Sequence, residues 1–440
     1  MSAPDALAGE KVLDSSAYGL GFEVLGPILA CFAHLLYRHA RRAKSQCLAF
    51  LARDGDLLWR VATHLPCAPD EAQRPKLLYV HLSRRATALP AQLSIDASEL
   101  GHLLSRCAAR ETVGELIDSL GIPAPIAEAM LAKFGIDPFA RAGQQKALPA
   151  IFGDHDIHLM IERERRTQFG RLKNYLLQHG IGRDSSIMLV DIGWRATIQR
   201  NLHRAFANDP DFLLPHGAYF GLWSEDGDTT EFPCNAIGLV CDLRRSLAWH
   251  EASAWYAAFL LEAVCRANEG STLGYEPAGQ MMTPVLAEDS QSRRAECASN
   301  PTASAVRRGI LAYVERHGGG SDWLAADDRR LRARAQSHLL RLACFPEDDE
   351  IEIGGRLVHT EAHRPTWFAP LLAADRPHPL RSPAQWLAGL SSPWRMGYFH
   401  ATGGPLLSRA MLLADSLLRM SPASYRAIAR WARRASRNEP

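Results

Sequence analysis

The sequence lacks any compact arrangement of cysteines, because its nine cysteines are scattered along the chain from Cys31 to Cys344. No two of them have the spacing of zinc ligands, and they do not form the framework found in small secreted domains. This distribution fits a reducing compartment. The first 16 residues also lack the basic start, apolar run and cleavage site of a signal peptide, so we expect a cytoplasmic protein.

Long uninterrupted hydrophobic runs and a large net charge are missing as well. The most apolar early stretch, residues 18–36, is interrupted by Glu23, Pro27 and His34, which predicts a buried or surface-lying helix rather than a membrane span. The 50 Lys and Arg against 48 Asp and Glu leave a net charge of +2. So small a charge does not by itself indicate nucleic-acid binding, and none is expected.

What the sequence does have is the composition of a globular protein, with 47% hydrophobic and 22% charged residues. A chain of 440 residues is long for a single hydrophobic core, so we expect two units. We predict an α/β domain over residues 1–285, with a helical insertion at about 94–178. An exposed linker at 286–305 and a mainly α-helical C-terminal region at 306–440 complete the prediction.

Four short apolar segments predict the strands of the first domain, at Cys47–Leu51, 76–82, 186–191 and 216–223. Segments with the helical spacing of apolar residues lie between them. Short buried strands that alternate with helices indicate a parallel sheet covered on both faces. Ligands of such sheets gather at the carboxyl ends of the strands. Three charged loops follow predicted strands and therefore belong to the expected ligand side.

The loop after the third predicted strand is the strongest candidate site. Asp191 ends the strand, and the sequence Ile-Gly-Trp-Arg-Ala-Thr opens a helix directly after it. Such a loop directs backbone N–H groups and the positive end of a helix toward an anion. Arg195 and Thr197 would add side-chain donors to a phosphate, while Asp191 would accept hydrogen bonds from ribose hydroxyls. The alternative is that Asp191 and Thr197 only cap the helix.

The loop after the first predicted strand is the second candidate. Arg53 would supply donors to a pyrophosphate, and Gly55 permits a close backbone approach or a positive φ. Asp54 and Asp56 are suited to hold Mg²⁺, or one of them to take a proton from an attacking hydroxyl. The alternative is an ordinary turn with an aspartate at the start of the next helix.

The remaining candidates carry a weaker signal. Ser83, Arg84 and Arg85 follow the second predicted strand, where the two charges would neutralise phosphates. Paired arginines on a solvated surface are the alternative. Glu262 is an acid in an apolar helical stretch, a position that is unfavourable unless the acid is paired or functional, and a structural ion pair is the favoured explanation.

The order of these loops resembles that of type I phosphoribosyltransferases, in which an early loop with Arg and Gly holds pyrophosphate and a later acid-to-Thr loop holds the phosphoribosyl group. The similarity covers roughly residues 18–275. Three motifs, FLARDG at 50–55, YVHLSRR at 79–85 and VDIGWRAT at 190–197, are similar to one bacterial branch. Domains of that branch are often fused to haloacid-dehalogenase-type phosphatases in polysaccharide gene clusters.

This resemblance implies a sheet of phosphoribosyltransferase type and a transfer of 5-phosphoribofuranose from phosphoribosyl pyrophosphate, bound with Mg²⁺, to a sugar hydroxyl. Inversion to a β-linkage is the implied outcome. The acceptor would be a sugar or lipid-linked glycan of a polysaccharide such as O-antigen, and a separate phosphatase would act later. The implied substrate-binding residues are Arg53, Gly55, Asp56, Ser83, Arg84, Arg85, Asp191, Gly193, Trp194, Arg195, Ala196 and Thr197. Asp54, Asp56 and Asp191 are the implied metal ligands; Asp54 is the first candidate for the catalytic base and Glu262 the second.

Other classes of function stay open. A phosphohydrolase related to haloacid dehalogenases would use Asp54 as nucleophile, since residues 51–55 are superficially similar to that family's first motif. A non-catalytic protein that binds a phosphate ligand is the other class, because Asp191 stands alone where the transferase loop has two adjacent acids. A nucleobase-salvage enzyme is disfavoured, because the insertion and C-terminal region exceed what a small planar acceptor needs.

The C-terminal residues 405–437 alternate apolar with Arg-rich helical segments. This pattern predicts either peripheral contact with an anionic surface of the inner membrane or a packed terminal helix with a solvated basic face.

Overall fold

A five-stranded sheet, in which every strand pairs in parallel, forms the centre of the protein in the computed structural model. The model describes residues 14–66, 74–92, 111–145, 148–183, 186–223, 232–244, 253–288, 290–360, 368–372 and 378–420. The strand order is β2-β1-β3-β4-β5. These strands are β1 Cys47–Leu51, β2 Lys76–Val80, β3 Ile187–Trp194, β4 His216–Leu222 and β5 Ala236–Asp242. The predicted α/β class and parallel sheet are thus confirmed.

The direction of strand addition reverses between β1 and β3. From β1 the chain moves outward to β2, and it then returns to the other side of β1 and continues through β3, β4 and β5. At such a switch point the connections that leave two neighbouring strands diverge to opposite faces, which leaves a crevice beyond the carboxyl ends of the strands. The loops after β1 and β3 border this crevice, and both contain predicted site residues.

Both faces of the sheet are covered, as the apolar strands require. All five residues of β1 are buried, and alternate side chains point to opposite faces. Leu48 and Phe50 belong to a hydrophobic cluster shared with the N-terminal helix, whereas Ala49 and Leu51 pack in a second cluster with residues of the helix His155–Gln178. This two-sided burial explains why β1 lacks the alternation of polar and apolar residues.

The described helices surround the sheet and dominate the C-terminal region. Before β5 they are α1 Asp14–Arg42, with a π-helical stretch at Leu20–Leu25, α2 Gly55–His64, α3 Arg84–Ala88, α4 Val113–Ser119, α5 Ala124–Phe134, α6 Leu148–Gly153, α7 His155–Gln178 and α8 Thr197–Ala205. After β5 they are α9 Ser253–Tyr256, α10 Ala258–Cys265, α11 Gln291–His317, α12 Ser321–Ala325, α13 Asp328–Cys344, α14 Asp348–Gly355, α15 Pro383–Ser391 and α16 Arg395–Met420. Two antiparallel hairpins complete the fold, β6 Thr272–Ala278 with β7 Met281–Leu286, and β8 Val358–Thr360 with β9 Phe368–Pro370.

The predicted linker at 286–305 is wrong, because most of it belongs to the long helix α11. The Ser290 side chain caps this helix by accepting a hydrogen bond from the Arg293 backbone N–H at 3.0 Å. Polar residues of this stretch, among them Ser292 and Glu296, are buried rather than exposed. Composition alone does not reveal such a helix. In a sequence, polar residues that are buried and bonded to other parts of the protein cannot be distinguished from residues that face solvent.

The two-unit division at the linker also differs from the structure. One continuous hydrophobic cluster runs from Ala17 to Leu412 and includes α1, one face of the sheet and the C-terminal helices. Polar contacts add to it: Gln336 of α13 donates to the backbone carbonyl of Val240 in β5 at 2.7 Å. The C-terminal helices therefore form one layer of the α/β core, although their mainly helical character was predicted correctly.

Several smaller predictions can be compared with the described residues. β3 continues to Trp194, three residues beyond the predicted end, and β5 and both hairpins were not predicted. The described part of the insertion consists of the helices α4 to α7, joined by turns and by a β-bridge between Thr112 and Arg141, while residues 93–110 and 146–147 lie outside the described part. Most of the basic C-terminal stretch, residues 421–440, lies outside it as well.

Helix α1 has the length and apolar composition of a membrane span, and 78% of its most apolar window is buried within the protein. A core helix of a soluble protein meets the same criteria. The predicted alternative of a buried helix describes what α1 does in this structure.

Two glycines allow α1 and α11 to approach closely. A Cβ at Gly309 would lie 2.1 Å from the carbonyl oxygen of Tyr18, and one at Gly21 would lie 2.0 Å from that of Val306. Backbone atoms cannot move aside as a flexible side chain can. We expect Gly309→Ala to lower the free energy of unfolding by about 1–3 kcal/mol or more, as overpacking does.

Gly170→Ala is the matched control, because a Cβ at this position in α7 meets nothing within 4 Å. It should raise the free energy of unfolding by about 0.5–1 kcal/mol through helix propensity. Urea unfolding of both variants measures the difference. A Gly309→Ala protein as stable as the wild type would show that the helix contact does not depend on glycine.

Candidate functional site

Two aspartates meet at the switch point of the sheet. Asp54 lies in the loop after β1, and Asp191 lies on β3. Both residues are partly exposed to solvent. Burial raises the pKa of Asp54, and the negative charge of Glu262 raises it further. Burial also raises the pKa of Asp191 well above its usual value, with the charge of Asp54 as the next cause. Two carboxyl groups whose negative charges repel each other favour a state in which they share one proton.

Glu262, on α10, has the opposite behaviour. Both of its carboxylate oxygens are occupied: the indole N–H of Trp194 donates to Oε1 at 2.7 Å, and His359 Nδ1 lies 3.1 Å from Oε2. Burial alone would raise the pKa of Glu262, but the hydrogen bond and charge of His359, followed by the Trp194 bond, outweigh burial and lower it. The site thus combines an ionised glutamate with two aspartates that resist ionisation, an arrangement that separates acid and base roles.

Three arginines, Arg53, Arg266 and Arg84, place positive charge near Asp54, and Arg84 is the exposed one. The positive charge of Arg84 opposes the rise in the pKa of Asp54 and Asp191 and contributes to the lowered pKa of Glu262. An exposed guanidinium beside buried carboxyls can bind an anion without first losing a buried partner. Of the predicted pair of arginines, Arg84 is the one that lies at the acids.

Ser83 and Arg85 are held by other parts of the protein. The Ser83 hydroxyl caps α3 by accepting from the Ala86 N–H at 2.9 Å, and it donates to the carbonyl of Thr272 at 2.6 Å. Arg85 donates to Asp118 at 2.9 Å. Both side chains therefore fasten α3 to its neighbours, whereas the resemblance implied that they bind substrate.

The loop from β3 to α8 has an unusual backbone. Gly193, Trp194 and Ala196 have φ angles of 104°, 69° and 50°. A Cβ at Gly193 would lie 2.6 Å from the Tyr219 side chain, so glycine is required there. A bulky residue at positive φ is strained, and such strain concentrates at functional sites.

The capping alternative for this loop does not describe the structure. The residue that precedes α8 is Ala196, and no side chain caps the helix. Asp191 instead accepts a hydrogen bond from the neighbouring Ile192 N–H at 2.8 Å. The first N–H groups of a helix have no partner within it, so α8, which begins at Thr197, presents donors that no described side chain satisfies. This is the geometry that an anion would use.

The loop after β1 is strained at a different residue from the one expected. Gly55 begins α2, and the positive φ of 74° belongs to Arg53. The Arg53 N–H donates to the hydroxyl of Tyr79 at 2.9 Å. Its guanidinium donates to Ser271 and, at 2.6 Å, to Glu296, while its Nε is buried and has no hydrogen-bond partner among the described residues. Arg53 therefore has less to offer a pyrophosphate than the sequence implied.

Asp56 does not share the position of the other two aspartates. Its buried carboxylate is bound by Arg60, one turn along α2, at 2.9 and 3.1 Å. Among the described residues there is no group of three His, Cys, Asp or Glu side chains arranged for a metal ion. Asp54 and Asp191 remain as candidate ligands, and Mg²⁺ in enzymes that use phosphates is bound by one or two carboxylates together with the substrate.

A buried ionic network beside the acids was not predicted. Glu296 of α11 accepts from Arg53 at 2.6 Å and from Arg293 at 3.0 Å, and Arg266 lies 3.5 Å away. Burial alone would raise the pKa of Glu296, but the charges of Arg53 and Arg266 outweigh it and lower the pKa. Glu296 stands in a polar stretch and His359 in a distant segment, so neither carried a local signal.

No protein-family model matches the chain, and no curated protein matches it. Any functional conclusion therefore depends on the motifs and on the geometry of the site.

The raised pKa of Asp191 predicts that this residue lowers stability at neutral pH. A carboxyl with a raised pKa in the folded state contributes stability only in acid, and this contribution is lost as the pH rises through the folded pKa. We expect Asp191→Asn to raise the melting temperature near pH 8 by about 2–5 °C. This gain in melting temperature should shrink as the pH is lowered toward about 3.9, the pKa of an aspartate in the unfolded chain.

Glu262→Gln provides the contrast of opposite sign. Because the pKa of Glu262 is lowered, its contribution to stability is present above the unfolded pKa and is lost in acid. The melting temperature of this variant should therefore fall at neutral pH and approach that of the wild type as the pH is lowered. Thermal scans across this pH range measure both variants, and a destabilised Asp191→Asn protein near pH 8 would contradict the assigned burial of Asp191.

Proposed function

We propose that the protein is a glycan phosphoribosyltransferase. It would transfer 5-phosphoribofuranose from phosphoribosyl pyrophosphate to a sugar hydroxyl, with inversion to a β-linkage, in bacterial polysaccharide biosynthesis. In this proposal the sheet is of phosphoribosyltransferase type and the reaction takes place in the cytoplasm. The acceptor is a sugar or lipid-linked glycan, and a separate phosphatase later removes the 5-phosphate.

The observation that carries the proposal is the meeting of Asp54, Asp191 and Arg84 beside the uncapped start of α8, at the switch point of a parallel sheet. A phosphoribosyl donor has two anionic ends with a polyhydroxylated sugar between them. Carboxyl groups are suited to the ribose hydroxyls, and a helix start and an arginine are suited to the anions. Along the chain, Asp54, Arg84 and Asp191 follow one another in the order that the resemblance implies.

The strained loop at 193–196 would bind the 5-phosphate through the N–H groups at the start of α8. Thr197 would add its hydroxyl and Arg195 its charge. Arg84 would face the pyrophosphate end, where negative charge grows as the bond to the anomeric carbon breaks. A cation already in position there stabilises the transition state more than the ground state.

The pair of Asp54 and Asp191 fits a divalent cation. Two carboxyl groups that compete for one proton are stabilised when a cation replaces that proton. Mg²⁺, when bound, would neutralise charge on the leaving pyrophosphate. In the proposal these two aspartates would hold it, and Asp56, bound by Arg60, is left out of the implied set of ligands.

The acceptor hydroxyl would lose its proton to Asp54 as its oxygen forms the new bond to the anomeric carbon. The bond from that carbon to the pyrophosphate oxygen breaks in the same step, and the pyrophosphate leaves with the electron pair. An ionised carboxylate within reach of the hydroxyl can take up this proton as a general base. Glu262 is the weaker candidate, because both of its oxygens are already bonded.

The phosphohydrolase alternative finds less support in the geometry. It needs a second carboxyl group two residues after the nucleophile, and that residue would be Asp56. The ion pair of Asp56 with Arg60 withholds this group from the crevice. A non-catalytic binding protein would share the donor site and differ only in turnover.

Calorimetry with phosphoribosyl pyrophosphate and Mg²⁺ tests donor binding. We expect Arg84→Ala to weaken the affinity by about tenfold or more, because a charge-assisted contact to the donor is lost. Arg166→Ala is the matched control, since Arg166 is 76% exposed and, among the described residues, bonds to Glu162 of its own helix. Absence of donor binding to the wild type, together with release of phosphate from simple monoesters, would favour the phosphohydrolase.

Asp54→Asn tests the proposed base. Loss of a positioned proton acceptor lowers the rate at saturating donor by about 10²–10⁴-fold, and because Asp54 would also help to hold Mg²⁺, donor affinity should fall as well. Pyrophosphate release in the presence of sugar acceptors measures the rate. Ordinary turnover by this variant would remove Asp54 from the role, and tight donor binding by the wild type without any turnover would favour the non-catalytic alternative.

A further inference from the structure

The short strand β8 is connected to both strained loops of the site through one carboxylate each. Its neighbouring residues His359 and Thr360 each bind a different carboxylate, Glu262 and Glu296. β8 is remote in sequence from the sheet, and no prediction placed it near the site. Two adjacent side chains that each bind a site carboxylate require an explanation beyond the packing of a small hairpin.

The first connection runs from His359 to the loop after β3. His359 is 7% exposed, and its ring lies 4.1 Å from the ring of Phe259, which restricts its orientation. Its Nδ1 contacts Glu262, whose other oxygen accepts the indole N–H of Trp194. Trp194 is the bulky residue with a φ of 69°. Its indole also stacks on Trp223 at 4.2 Å, so the strained residue is fixed on two sides.

The second connection runs from Thr360 to the loop after β1. The Thr360 hydroxyl donates to Glu296 Oε1 at 2.5 Å, and the same oxygen accepts from Arg53 at 2.6 Å. Arg266 donates to the Thr360 hydroxyl at 3.1 Å and to the carbonyl of Val358 at 3.3 Å. Arg53 is the residue with a φ of 74°. The two connections from β8 therefore end at Arg53 and Trp194, and both of these residues have a strained, positive φ.

We propose that β8 is a positioning strand that holds the two loops of the site in their strained conformations, through Glu262 on one side and Glu296 on the other. The C-terminal region then completes the site, although the sequence predicted a separate unit. Strained residues persist only where the surrounding structure holds them. Carboxylates that form directed hydrogen bonds and ion pairs supply such a restraint, whereas an apolar contact does not fix direction. This inference rests on the proposed function only for the identity of the ligand that the two loops bind.

Hydrogen exchange tests the restraint without any ligand. We expect Thr360→Val to speed exchange of amides at 52–56, and His359→Phe to speed exchange at 192–198, because each loop gains freedom when its connection is lost. Thr360→Ser, which keeps the hydroxyl, should restore wild-type exchange. Thr283→Val is the matched control, because Thr283 is exposed and its hydroxyl, within the part of the chain that the structure describes, bonds to the Glu276 carbonyl of the same hairpin.

Two results would overturn the proposal. One is wild-type exchange in both loops in folded Thr360→Val and His359→Phe proteins. The other is a rise of equal size in β4 and β5, which would indicate general loosening. Donor affinity adds a second measurement: Thr360→Val should weaken binding of phosphoribosyl pyrophosphate by about tenfold, and Thr360→Ser should restore it. If the wild type does not bind this donor, the proposed function fails, and the exchange measurements still decide the role of β8.

Discussion

Repulsion between the carboxyl groups of Asp54 and Asp191 is the constraint on which the site depends. Asp54 lies in the loop after β1 and Asp191 lies within β3, and burial at both positions leaves little water to stabilise charge. The positive charges of Arg53, Arg266 and Arg84 partly offset this unfavourable pair at Asp54. Residues chosen for stability alone would be apolar at these positions. The aspartates are therefore better explained by a ligand than by the fold.

The strain of the two loops has the same origin in the switch point. Among the described residues, four non-glycine residues have a positive φ, and three of them, Arg53, Trp194 and Ala196, lie in these loops. Chains that leave neighbouring strands in opposite directions must turn sharply, and here the turns expose backbone donors at the start of α8. The carboxylates of Glu262 and Glu296 then connect these turns to the C-terminal region, which packs as a layer of the same core.

The parts of this protein that could be predicted from its sequence are those with a local signal. β1 is a continuous apolar run, and its predicted bounds agree with the structure. The loops that hold Asp54 and Asp191 follow apolar runs and were recognised for that reason. Helix α11 was missed because its buried polar residues, including Glu296, bind partners far away in the sequence. His359 was missed for the same reason, since its contact with Glu262 joins residues nearly a hundred positions apart.

The roles of the arginines show the limit of motif reading most clearly. Arg53, Arg84 and Arg85 all follow predicted strands, and the resemblance gave each a phosphate to bind. The structure divides them by what lies within reach: Arg53 is turned to Glu296, Arg85 to Asp118, and Arg84 alone remains exposed beside the acids. A guanidinium binds the first well-placed carboxylate it meets, and a motif does not record where that carboxylate lies. Because the partners of Arg53 and Arg85 come from distant segments, only the folded chain distinguishes an arginine that binds a ligand from one that positions a loop.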